Sequence, residues 1–247
     1  MLFRSSSPPE INGPPPKTIE DLPKQSIPWE KVQLPIDILL LTAIDCELSS
    51  CLSILNGLFR SWHDKLGAVY FGDVGSEKMK LRVALIQCEK SSNVPRGSTV
   101  VTTNAVDVLG PIAIFCVGFC AGLSRQKVKL GDVVVSAKLI TYAHIKVLEG
   151  GIQDRGVRTT VSGAMSKLIT AVANGWKPPL KNPEELKVHV HRRGVFLSGP
   201  ELVNNSERRE ELVKRYPEAI ALEMEGEGKC LANILRASFW RKGNLTV

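Results

Sequence analysis

Aromatic residues are scarce, at 6% of 247 residues, and the three tyrosines do not interleave with any basic cluster. Stacking platforms for nucleic acid combine aromatics with a basic groove, so the net charge of +7 is not read as a nucleic-acid surface. Small basic groups such as Arg192-Arg193 and Arg208-Arg209 read as solvated faces. Long apolar runs are absent. The longest, residues 36–44, contains Asp37 and Thr42 and falls short of the roughly 20 residues a membrane helix needs. The first residues lack the apolar stretch of a secretory signal and are proline-rich instead. Cysteine pairs at metal or redox spacing are missing too. Cys116 and Cys120 flank Val-Gly-Phe, and no His-rich segment lies nearby, so neither a disulfide framework nor a zinc site is expected. A reducing, cytoplasmic setting follows as the simpler expectation. His189 and His191 share one face of a predicted strand with no evident carboxylate companion, and read as edge histidines.

What is present is a regular alternation. Residues 1–34, with Ser-Ser-Ser-Pro-Pro and Pro14-Pro15-Pro16, bury too little to offset ordering and are expected to form a flexible tail. Residues 35–237 are expected to form one domain, and 238–247 an atypical end. The run Ile36-Asp-Ile-Leu-Leu-Leu-Thr-Ala43 predicts a buried parallel strand. Asp45 then caps a helix carrying Leu48, Leu52, Leu55 and Leu58. A hairpin over 68–71 and 81–88, a helix over 97–109 and a strand entering Gly118-Phe-Cys-Ala-Gly122 follow. Gly131-Asp-Val-Val-Val-Ser136 is a strand, and 143–160 a glycine-rich loop. Further on come a helix near 162–174, a strand over 188–197 and a helix over 207–216 capped by Asn205 or Ser206. A strand over 219–225 leads into a helix from Gly226 to about Leu235. The class is α/β: a three-layer sandwich with a central mixed, largely parallel sheet flanked by helices.

Four segments carry a resemblance. Ala221-Leu-Glu-Met-Glu-Gly226 resembles the E-M-E-(A/G) signature of the nucleoside phosphorylase and nucleosidase superfamily. Leu41-Thr-Ala-Ile-Asp-Cys-Glu-Leu48 is similar to its first strand and turn. Val117-Gly-Phe-Cys-Ala-Gly-Leu123, followed by 131–136, matches its glycine-rich loop and next strand, and Ser198-Gly-Pro-Glu-Leu-Val203 its purine-packing segment. The resemblance spans about residues 36–230. It implies that Glu225 binds the ribose hydroxyls and stabilises an oxocarbenium-like transition state. Met224 lies on the sugar face, and Glu47 activates a water. Leu202 and Val203 meet the purine, with weaker stacking than an aromatic gives. Gly118, Phe119, Cys120 and Gly122 line the ligand, the glycines by close backbone approach. All fall at carboxyl ends of predicted strands, where open α/β sheets bind ligands. The bland alternatives are a dipole-favoured helix-start acid for Glu225 and Glu47, and a buried or pocket-lining thiol for Cys120.

The sequence also departs from the family. Cys116 stands where phosphorylases carry an Arg for phosphate, leaving Arg96 as a substitute from the preceding loop. Phe119 replaces a small hydroxyl residue. The segment Ser238-Phe-Trp-Arg-Lys-Gly-Asn-Leu-Thr-Val247 holds no acid, whereas the resemblance implies a further strand bearing an Asp that protonates the leaving purine. The expectation is a truncated form of the fold.

The resemblance therefore implies an enzyme cleaving the N-glycosidic bond of a purine or methylthioadenosine-like nucleoside, by hydrolysis or phosphorolysis. The competing reading is a nucleoside-binding or regulatory protein without turnover. The expected partners are a small-molecule nucleoside and further copies of the chain, with no nucleic acid and no membrane. No metal or organic cofactor is implied, and phosphate enters only as a co-substrate.

Overall fold

Leu39, Leu40 and Leu41 set the architecture. The strand Ile38–Thr42 lies between two parallel neighbours, so both its faces must be covered. Leu39 and Leu41 point into one core with Val101, Ala105 and Leu109. Leu40 points into another with Leu48, Cys51 and Leu52. An apolar run with no polar face has no other stable placement.

The computed structural model describes residues 9–13, 17–92, 94–124, 126–172, 175–184 and 186–227. In chain order the elements are β1 (Ser26–Ile27), β2 (Ile38–Thr42), α1 (Asp45–Ser53), β3 (Asn56–His63), β4 (Gly67–Ser76) and β5 (Met79–Gln87). Next come α2 (Ser98–Leu109), β6 (Ala113–Cys116), β7 (Ala121–Gly122), β8 (Val133–Thr141), β9 (Ile145–Leu148) and β10 (Gly151–Asp154). The described chain finishes with β11 (Arg158–Thr160), α3 (Gly163–Val172), β12 (Val190–Ser198), α4 (Ser206–Arg215) and β13 (Ala221–Glu223).

The α/β class expected from the sequence holds, and its mixed sheet is divided in two. A six-stranded sheet runs β1-β3-β4-β5-β2-β6 and a five-stranded one β11-β8-β12-β13-β7. Helices α2 and α1 cover opposite faces of the first sheet. Helix α4 covers the second through Leu212, which meets Ile140, Leu197 and Leu222 with Tyr216 just beyond the helix. Asn205 caps α4 by accepting from the Arg208 amide at 2.8 Å. Between β6 and β7, residues 117–120 carry the chain from one sheet to the other. The Val117 amide still donates to Leu41 at 3.0 Å, and Leu123 donates to Ile220 at 2.9 Å.

Four expectations change. The tail expected over residues 1–34 is docked where it is described: Ile11 bridges Leu180, with the Asn12 amide donating to the Pro179 carbonyl at 2.7 Å, and the chain is held again from Lys17 onward. The Lys17 amide donates to Ser53 Oγ, Ile27 and Trp29 pack on the first core, and the Trp29 ring lies 4.6 Å from that of His63. The helix expected through Leu58 stops at Ser53, and residues 56–63 form β3, where Gly57 at φ 61° lies in the register irregularity between Asn56 and Phe59. The loop expected over 143–160 instead contains the antiparallel hairpin β9–β10 and the edge strand β11. Val147 and Ile152 point to solvent there, so no buried face announced the strands. Asp45 is the first helical residue of α1, and the carboxylate that satisfies its turn belongs to Glu47. The helix expected after Gly226 lies, beyond residue 227, outside the described residues, as does segment 238–247. Among the described residues no helix is long and apolar enough to cross a membrane.

Candidate active site

Parallel register aligns the carboxyl ends of the strands. Thr42 is level with Gln87, and Leu41 with Cys116, in the first sheet. In the second, Ser198 is level with both Thr141 and Glu223. The segments after β2, β5, β6, β8, β12 and β13 thus form one rim, the usual ligand edge of open α/β sheets.

Glu47 sits at this rim, 9% exposed. Its Oε2 accepts from the amides of Ala43 at 2.8 Å and Ile44 at 3.2 Å. Its Oε1 accepts from the Phe119 amide at 2.9 Å. The first pair caps α1, and the third pins the crossing between the sheets. A Cβ at Gly118 would stand 2.7 Å from Oε1, so the approach requires glycine. A carboxylate offers about four acceptor sites, and three are used.

The turn after β13 is tied on itself and to its surroundings. Glu223 Oε2 accepts from the amides of Glu225 at 2.9 Å and Gly226 at 2.6 Å. Glu225 Oε1 accepts from the Ser91 amide at 3.2 Å. Ser92 Oγ donates to the Met224 carbonyl at 3.2 Å, and Ser98 Oγ to that of Glu225 at 2.5 Å. The loop between β5 and α2 therefore binds the E-M-E turn to the first sheet. Ser91 and Arg96 adopt φ of 82° and 62° within it.

An open depression of about 670 Å³ lies beside these groups, lined by Ala43, Ile44, Asp45, Gln87, Glu89, Lys90, Val94 and Pro95. Glu47 hangs from the amides of two of those residues, and Glu225 from Ser91 within the same loop. Neither acid is itself among the lining groups.

The remaining predicted residues are dispersed. Leu202 is 84% and Phe119 72% exposed, so neither walls an enclosed hollow. Val203 packs against the second core. Gly122 lies within β7 opposite Ala221, where an added Cβ would make only ordinary contacts with Val128. Desolvation, then the charge of Glu223, holds the Cys120 thiol above its ordinary value, which suits an inert thiol. Arg96 lays its guanidinium against Gly67 at the start of β4, on the side of β5 away from Glu47.

Sequence reasoning missed the serines of the β5–α2 loop, which only tertiary contact reveals. It also missed two histidine–carboxylate pairs. His144 Nε2 lies 2.5 Å from Glu227 Oε1 at the rim, and His191 Nε2 lies 3.0 Å from Asp132 Oδ2 at the opposite end of β8. Asp132, 59 residues away in sequence, is the companion that His191 was expected to lack. Among the described residues no cluster of three potential metal ligands occurs, and Cys46, Cys51, Cys88, Cys116 and Cys120 are free of disulfides.

A profile of the phosphorylase superfamily matches residues 62–227, from β3 through the E-M-E turn. The chain belongs to this superfamily. A relative from the sponge Amphimedon queenslandica, the death domain-containing ATP nucleosidase, is 30% identical over 222 residues. The match covers 80% of this chain but 40% of that protein, so the chain spans well under half the relative's length. Among solved structures, the 5′-methylthioadenosine/S-adenosylhomocysteine nucleosidase of Neisseria meningitidis, in complex with methylthio-immucillin-A, superposes with a TM-score of 0.62 at 18% identity, covering 81% of this chain and 80% of its own. The S-adenosylhomocysteine nucleosidase of Streptococcus pyogenes gives 0.63 at 19% identity, covering 84% and 80%. At such identities the structural likeness shows the fold alone.

Proposed function

We propose that this phosphorylase-superfamily chain hydrolyses the N-glycosidic bond of an adenine nucleoside or of its 5′-substituted forms. The reading is supported by one observation: the carboxylate of Glu47 accepts from the amides of Ala43 and Ile44, which line the depression, and that of Glu225 from the amide of Ser91, next to its lining residue Lys90. Glu225 takes the ribose hydroxyls and offsets the positive charge that develops on the sugar. Met224 lies against the sugar, and Leu202 and Val203 border the base. Glu47 directs its remaining acceptor site to the attacking water. Gly118, Phe119, Cys120 and Gly122 supply the backbone floor. Water is favoured over phosphate because Cys116 cannot hold an anion as an Arg would, and the Arg96 head is turned to Gly67. We assign no metal or organic cofactor, a cytoplasmic setting and a homo-oligomeric state. The relative's name and the neighbours' ligands support an adenine-bearing substrate.

The second reading, binding without turnover, is favoured by the three amide bonds that already occupy Glu47 as a capping group. Incubation with ATP, adenosine and 5′-methylthioadenosine, with and without phosphate, separates the two. Phosphate-independent adenine release supports hydrolysis, release only with phosphate makes it a phosphorylase, and tight binding with no release supports the second reading.

A further inference from the structure

The turn after β13 sends two carboxylates in different directions. Glu225 reaches the first sheet at Ser91, whereas Glu227, two residues on, turns back across the end of β12. The Glu227 amide donates to Ser198 Oγ at 2.9 Å, and its carboxylate meets His144, which follows β8. The Tyr142 amide donates to the Ser198 carbonyl at 3.2 Å, so the chain leading to His144 is fixed to the same strand end. The Glu227 side chain is 11% exposed and that of His144 53%. A shielded carboxylate thus orients an accessible imidazole, the arrangement by which enzymes fix a histidine's ring orientation and tautomer.

We infer that His144, held by Glu227, protonates the leaving base in the reaction proposed above, on which this inference rests. The Cα atoms of residues two apart along a chain are at most about 7 Å apart, so Glu225 and the Glu227–His144 pair belong to one turn at the same rim, and a nucleoside spanning that turn would present its ribose to Glu225 and its base to the imidazole. The base then lies over the end of β12, the start of the segment 198–203. With Nε2 committed to Glu227, Nδ1 serves the ligand. The C1′–N9 bond breaks with its electron pair passing to the purine, and the Nδ1 proton moves to a ring nitrogen of that base. The water oxygen bonds to C1′ and its proton passes to Glu47, which releases it to solvent while solvent returns a proton to the imidazole. His144 is a catalytic residue in this scheme and Glu227 a positioning one.

Leaving-group chemistry tests this with His144→Gln and Glu227→Gln in the full chain. A purine departs poorly unless protonated, whereas 4-nitrophenolate departs without help. The expected result is a loss of about a hundredfold or more in adenine release for His144→Gln, the scale of general acid catalysis. Its cleavage of 4-nitrophenyl β-ribofuranoside stays within a few-fold of the parent, which also shows that the variant is folded. Glu227→Gln should show the same split, less severely. Equal losses on both substrates, or none on either, would overturn the assignment of His144 while leaving N-glycosidic hydrolysis intact. An unmodified chain that releases neither adenine nor 4-nitrophenolate overturns the hydrolase reading itself, and this inference with it.

Discussion

Glu47 joins two pieces of backbone through three amides and one carboxylate, and its position depends on the residue facing it. Gly118→Ala places a methyl group 2.7 Å from Oε1, inside contact distance, so either the carboxylate or the 117–120 crossing must shift. Losing the Phe119 bond leaves a charge-assisted hydrogen bond unmade, worth about 1.5–3 kcal/mol. Gly118→Ala is therefore expected to lower stability by that amount in urea melts and to reduce base release more than tenfold. A variant as stable and active as the parent would show that the crossing tolerates the methyl. The residue types at this spot were legible in the sequence, because a Glu three residues into a helix and a glycine after a buried strand carry recognisable local chemistry. Their mutual contact, 71 positions apart, was not. The contacts of Ser91, Ser92 and Ser98 with the E-M-E turn were equally hidden, since the Ser91 amide and the hydroxyls of Ser92 and Ser98 meet it only once two sheets are brought together.

At the scale of elements, the pairing of β8 with β12 is closed at its amino end by Asp132. Its side chain is 3% exposed. It accepts from the amides of Lys129 at 2.9 Å and His189 at 3.0 Å and meets His191 at 3.0 Å. Burial pushes its carboxyl up, but the hydrogen bonds from His191, Lys129 and His189 outweigh this and the net direction is down. An acid depressed in the folded state stabilises it above the unfolded value, about 3.9, and loses that contribution as pH falls through the folded value. The urea midpoint should drop on acidification below about pH 4. Asp132→Asn should cost about 1–3 kcal/mol at pH 7 and flatten that acid limb. Because β8 spans about 30 Å of strand, adenine release should be unaffected. An unchanged midpoint at pH 7 would remove Asp132 as a structural clamp. Strands with a buried apolar face, such as β2 and β12, were readable. β3 was not, because Leu55 and Leu58 extended the helical spacing of α1 into it. The β9–β10 hairpin escaped because Val147 and Ile152 face solvent, giving no alternation of buried and exposed residues to detect.

For the whole molecule, the order of strands places six segment ends on one rim, and motif order alone conveyed that edge and the superfamily. The separation into two sheets, joined by 117–120 and by the serine loop, emerged only from tertiary pairing. The central claim is that Glu47 and Glu225 serve one bound nucleoside. Calorimetric titration with methylthio-immucillin-A, a transition-state inhibitor bound by the bacterial neighbours, addresses this most directly. Glu47→Gln and Glu225→Gln should each weaken binding by at least about tenfold, or 1.4 kcal/mol. Unaltered affinity in both folded variants, or no binding by the parent chain, would contradict it.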